Sequence, residues 1–423
     1  MRQIAARYPH HSTPTGPRHA AGRPLRTFAL GLALALAALP ALGIDWSLKA
    51  FGTLGAIGTD TDNLTFVRDQ SQTQGATRDW GGNVDSRLGL QVDADFNREF
   101  HAMAQWVARD HAGNFFEQNL DWAFLRWRPR DDLDLRLGRM ALDVFLMSDY
   151  RNIGYAYLWM RPPEEFYGLH SIYHFDGADI AKKFRVGEGQ LTLKGYAGHS
   201  SVFDAYDAQY EYMLWGANLV YETGNWRARM GYYQVQELKN PEPADHIALL
   251  DSLAATWPGI QSVANYLRAP DKRAHYGSIG VAYDDGVWPL QAEVSYMDSA
   301  LIGFPNRVNG YLSVGRRFGK LTPYSLYGFE QSLTRRITIP APPPQSSDLL
   351  GLRNDIDQGL NRNVDQMSLS LGMRWDVYEN IDLKAQWSHF WLGGNNSPVQ
   401  WLYPQPPLPN QVNVWSFSVD FVY

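Results

Sequence analysis

No cysteine occurs in this 423-residue chain. Disulfides, thiolate metal sites and a cysteine nucleophile are therefore excluded. Long apolar runs are equally scarce. The single one, Phe28 to Gly43, carries Pro40 near its end and is short for a membrane-spanning helix. The sequence holds no glycine-rich phosphate loop, EF-hand pattern or zinc spacing. His101, His170, His174, His199, His275 and His389 are scattered, and none joins a serine and an acid on one strand face. His170 and His174 are four residues apart, but in a loop-to-strand segment rather than a helix. No metal or cofactor is expected, and the chain is not read as an enzyme.

The one apolar run has the form of a secretory signal. Arg23 and Arg26 flank it, Leu30 to Leu39 is its core, and Ala41-Leu42-Gly43 places small residues at a cleavage site after Gly43. The reading is a leader over residues 1–43 and a mature domain over 44–423. Residues 1–22 make an unusually long basic start, expected from an upstream start codon or a disordered leader. Removing the leader's five arginines leaves 33 basic against 44 acidic residues, a net charge of −11. An acidic surface argues against a nucleic-acid partner.

What is abundant is aromatic residues, 13% of the chain, on a mean hydropathy of only −0.36. That mix suits strands with one apolar and one polar face. The last nine residues show the pattern: Trp415, Phe417, Val419, Phe421 and Tyr423 alternate with Ser416, Ser418 and Asp420. A period of two is the signature of a strand between two media. It recurs in Leu88, Leu90, Val92, Ala94 and in Met367, Leu369, Leu371, Met373, Trp375. About sixteen such strands are predicted, joined by seven tight turns and eight longer loops. A short helix is predicted over Asp245 to Leu253. Trp127, Tyr221, Trp226, Tyr283, Trp288, Phe318, Trp375 and Tyr378 sit beside the tight turns, as an interfacial girdle would. The predicted fold is all-β: a closed transmembrane antiparallel barrel.

This layout resembles the sixteen-stranded porins of Gram-negative outer membranes. The likeness covers the mature chain and is strongest from Leu133-Asp134-Leu135-Arg136-Leu137-Gly138-Arg139 through the loop Met140 to Tyr173, returning at Phe175-Asp176-Gly177-Ala178-Asp179. The resemblance implies an outer-membrane channel for passive diffusion of small hydrophilic solutes, embedded in outer-membrane lipid, as a homotrimer. It also implies a third loop folded into the lumen.

A constriction needs polar loop groups opposite polar wall groups. Arg87, Arg109, Arg136 and Arg139 are the wall candidates. Asp143, Asp149, Arg151, Arg161, Glu164 and Glu165 are the loop candidates. Charges of this kind facing lipid would cost roughly 2–4 kcal/mol each at the midplane, so they are assigned to the lumen. The fourth strand resists phasing, because Trp122, Phe124, Leu125 and Trp127 leave neither face polar. A strand apolar on both faces is expected where a loop root packs or at a subunit contact. Two further readings stay open. One is a substrate-specific channel for anions or acidic polysaccharide, and the other a barrel enzyme or adhesin.

Overall fold

The computed structural model describes residues 44–168, 172–204, 208–240, 243–269, 272–301, 304–333, 337–344, 347–361, 364–393, 401–402 and 404–423. The expected leader, residues 1–43, and His170 lie outside the described residues.

Sixteen strands close into one antiparallel barrel, each bonded to its chain neighbours. They are β1 (Asp45–Thr59), β2 (Arg87–Asp95), β3 (Phe100–Ala108), β4 (Leu120–Arg130), β5 (Leu133–Ala141), β6 (His174–Val186), β7 (Gly189–Phe203) and β8 (Gln209–Thr223). The second half comprises β9 (Trp226–Lys239), β10 (Arg273–Asp284), β11 (Pro289–Ser299), β12 (Arg307–Gly315), β13 (Leu321–Ser332), β14 (Asp365–Tyr378), β15 (Ile381–Leu392) and β16 (Gln411–Val422). The ring closes where β1 meets β16, with Gly52 opposite Phe421 and Gly58 opposite Trp415. Closure leaves no strand edge unpaired, as a wall in hydrocarbon requires.

Side chains sort opposite to those of a soluble protein. On β16, Ser416, Ser418 and Asp420 are buried inside, while Trp415, Phe417 and Val419 stand outside. The same inversion holds on β1, where Leu54 points outward and Thr53 inward. Such an outer wall is stable only against lipid. Trp127, Trp226, Trp288, Phe318, Trp375 and Tyr378 are exposed at the tight-turn end. Several pair across strands: the rings of Trp226 and Tyr283 lie 4.6 Å apart, and Arg316 sits over both Trp288 and Phe318. Four of the tight turns use a glycine at positive φ, Gly187, Gly224, Gly286 and Gly319.

The predicted 245–253 helix spans Pro243–Leu253. It packs with helix Gln261–Arg268 around buried Trp257, Ile260 and Val263. A helix at Ser347–Leu360, hidden in sequence behind the prolines before it, lies against the same cluster.

Candidate functional site

The long loop between β5 and β6 enters the barrel and fills it. Its apolar residues Leu142, Val144, Phe145, Met147, Trp159 and Phe166 are buried in one cluster with wall tyrosines Tyr196, Tyr276, Tyr311 and Tyr324. Phe124 joins this cluster and Trp122 packs on it, while Leu125 and Trp127 face outward. The fourth strand is thus apolar on both faces because lipid covers one and the loop root the other. Arg126 takes the lumen phase, opposite Arg136 in register.

The loop also runs the length of the lumen. Tyr155 donates its hydroxyl to the carbonyl of Glu379, in the β14–β15 turn, at 2.6 Å. Its other polar contacts follow the wall round. Asp143 lies 2.7 Å from Lys194 on β7 and 3.0 Å from Arg229 on β9. The backbone N–H of Leu146 donates to Glu293 on β11 at 2.9 Å, and the Tyr167 hydroxyl donates to the same carboxylate. Trp159 donates to Ser313 on β12 at 2.6 Å, and Gln366 on β14 donates to Glu165 at 2.9 Å. Arg374 and Lys384 donate to loop carbonyls at 2.7 Å, from Tyr155 and Gly154 respectively. Wall glycines make room: a Cβ at Gly280 would strike Leu146, at Gly315 Leu158, and at Gly328 Glu165.

Water is correspondingly excluded. Lumen-phase Ser313, Ser370, Asp382 and Asp420 are each at most 1% exposed. A cavity left between the loop and β4, lined in part by Asp121, Asn152 and Tyr173, measures about 10 Å³, room for about one water. Access persists along the tight-turn end of β4 to β9, where the side chains of Arg126, Arg128, Lys183 and Arg227 are 29–35% exposed.

Arg161 is the knot of the loop. Its guanidinium grips Asp85 through Nε at 2.9 Å and Nη2 at 2.6 Å, and Nη2 also donates to Ser416 on β16 at 2.6 Å. Nη1 lies 3.2 Å from Glu164. Burial alone would raise Asp85, but Arg161 outweighs it and holds the carboxyl below its ordinary range. Likewise burial opposes the charge on Asp143, and Lys194 with Arg229 overcomes it and pulls the group well down. Glu165 has no such partner. Burial, then the neighbouring Glu164, pushes it up to about 7.

The remaining candidates disperse. Arg87 is buried and donates to the carbonyl of Asp85 at 3.1 Å. Arg109 is forked on Asp121 at 2.9 and 3.0 Å. Arg136 is paired with Asp179 on β6, with Nε at 3.0 Å. Among the described residues, none of these three forms an ion pair with a loop carboxylate, which corrects the expected arginine-against-loop arrangement. Each has a nearer acid or carbonyl in its own wall. Arg139 is a second correction. It shares the phase of outward Leu137 and pairs with Asp176 at 2.8 Å on the outer face of the rim. Asp149 is exposed. Arg151 sits 4.0 Å over the Tyr173 ring, and burial lowers it to about 10. The apolar grip of the loop was missed from sequence. Its signal was there, in Val144-Phe145-Leu146-Met147 and Leu158-Trp159-Met160 within an otherwise polar segment.

By sequence, no family model and no curated protein matches the chain. By structure, OmpF of Salmonella typhi in complex with daunomycin superposes with a TM-score of 0.55 at 12% identity. The match covers 90% of this chain and 99% of that one. The anion-selective porin from Comamonas acidovorans superposes at 0.53 and 12% identity, covering 90% and 100%. The fold is that of the sixteen-stranded outer-membrane porins.

Proposed function

We propose that this protein is a bacterial outer-membrane channel for small hydrophilic solutes, and that the 142–173 loop is its gate. The observation that carries the reading is the inverted barrel: an apolar outer wall around an interior of ionised and hydroxyl side chains. Such an interior would be costly against lipid, is satisfied by the loop's polar groups while the loop is docked, and offers a polar path once the loop moves. Passage is passive, down the solute gradient, and requires the loop to leave β10 to β16. The likeness of the barrel to porins favours a channel over an enzyme.

The same reading makes the protein a homotrimer. A groove of about 620 Å³ on the outer wall, lined by Leu54, Ala56, Trp375, Phe417 and Val419 among others, lies over the β1–β16 seam. Its small residues suit close approach by another copy. Cross-linking of refolded protein into a three-subunit band supports this, and monomers alone refute it.

The deciding experiment compares wild-type protein with a variant lacking residues 146–166 in planar bilayers. Rare or small openings in the wild type and large steady steps in the deletion support a loop-gated channel. Silence from both sinks the channel reading.

A further inference from the structure

Cations outnumber carboxylates along one arc of the lumen, near the tight-turn end of β4 to β9. Asp134 is shared by three of them: Arg128 at 2.6 Å, Lys183 at 3.8 Å and Arg126 at 3.9 Å. Asp179 is shared by Arg136 and, at 3.7 Å, by Lys194. Lys194 also reaches Asp143, which Arg229 approaches to 3.0 Å. Glu222 serves Arg227 at 3.6 Å. Seven cations thus share four carboxylates. Asp95 and Asp149 are further acids facing this arc, and neither forms an ion pair with it among the described residues. On the β14–β16 side the balance reverses, with Arg374 and Lys384 against Asp376, Asp382 and Asp420.

The surplus is also visible as unused donors. Nε of Arg126, Nε of Arg227, and both Nε and Nη1 of Arg229 are buried without a hydrogen-bond acceptor. Arg229 is only 3% exposed. Buried N–H groups left unpaired are costly, so they favour an incoming acceptor. Guanidinium forks match the oxygens of phosphate and carboxylate groups. A lumen arc in which cations outnumber carboxylates also favours anions over cations.

We infer that this arc is a binding site for small polyvalent oxyanions, phosphate-bearing or polycarboxylate, entered from the tight-turn end. The inference rests on the channel reading for its role in transport, since it names the solute class, but the binding itself is independent of conductance.

The test is calorimetric titration of refolded, detergent-solubilised protein with inorganic tripolyphosphate at low salt. The wild type is expected to bind saturably and to weaken as salt rises. R126Q/K183Q/R227Q should lose at least tenfold in affinity. R126K/R227K, which keeps the charge but loses the guanidinium forks, should fall between the wild type and the triple variant. R317Q removes a cation outside the arc, on the same tight-turn rim but already paired with Asp284, and should bind as the wild type does. No saturable binding by the wild type, or an equal loss in R317Q, overturns the site. Bilayers silent in both wild type and loop deletion would remove the channel reading while leaving a positive titration intact. Open channels with no titration heat would do the reverse.

Discussion

Arg161 and Asp85 form a forked ion pair from which water is wholly excluded, although 76 residues separate them in the chain. The pair ties the inserted loop to the segment just before β2, and Ser416 and Glu164 complete the shell around the guanidinium. Phe66 lies 5.2 Å beneath it. A buried pair is costly to form and more costly to break, because removing one partner strands the other charge in a dry site.

Arg161→Ala should therefore weaken loop docking by about 3–5 kcal/mol while leaving the strands paired. The expected outcome is faster proteolytic cleavage within 142–173 and more frequent channel opening, with the β-sheet circular dichroism unchanged. Arg161→Lys keeps the charge but loses the fork, and should fall between. Cleavage as slow as in the wild type would show that the apolar cluster alone holds the loop.

Glu165 makes loop docking pH-dependent. Its carboxyl is pushed up to about 7 in the docked loop by burial and by Glu164. An undocked Glu165 titrates near its ordinary value of 4.5. Between these values the docked form holds a proton that the free loop has released, so docking weakens as pH rises through that window. Asp143 has the opposite sign, being held down by Lys194 and Arg229, and loses its contribution only in acid below the ordinary 3.8. Open probability should be higher at pH 8 than at pH 5, and Glu165→Gln should flatten the profile. A flat wild-type profile contradicts the assignment.

A disulfide should lock the gate. Cγ of Leu146 lies 3.0 Å from where a Cβ would sit at Gly280, a spacing that a Cys pair can bridge. The chain has no cysteine to compete. Oxidised L146C/G280C should stay closed under conditions that open the wild type, and reductant should restore opening. Equal conductance in both redox states would mean that the conducting form keeps this contact.

The outward phase of Leu137 can be tested directly. Leu137 is 67% exposed, in the middle of β5. Leu137→Arg should cost about 2–4 kcal/mol at the bilayer midplane, read as a lower urea midpoint in phosphatidylcholine vesicles. A change under 1 kcal/mol would place the residue away from the bilayer midplane.

The outer wall was legible in sequence because lipid sorts side chains by a period of two, strand by strand. Trp415, Phe417 and Val419 needed no knowledge of their neighbours to be placed. The tight turns and their flanking aromatics were legible for the same local reason. Strand four was not, since Trp122 and Phe124 face a loop whose apolar character mattered only once it was inside. Arg139 was misassigned because its charge outweighed its phase, which follows Leu137.

The sequence by itself determined the strand count, the inward and outward faces of the cleanly alternating strands, and most of the charge stored inside. Only the tertiary structure decided which charges meet. Asp85 found Arg161 rather than a wall arginine, and Asp143 found Lys194 and Arg229. Alternation is a property of one strand and its solvent, whereas a partner within a few ångströms depends on closure of the whole ring and on where the loop crosses it.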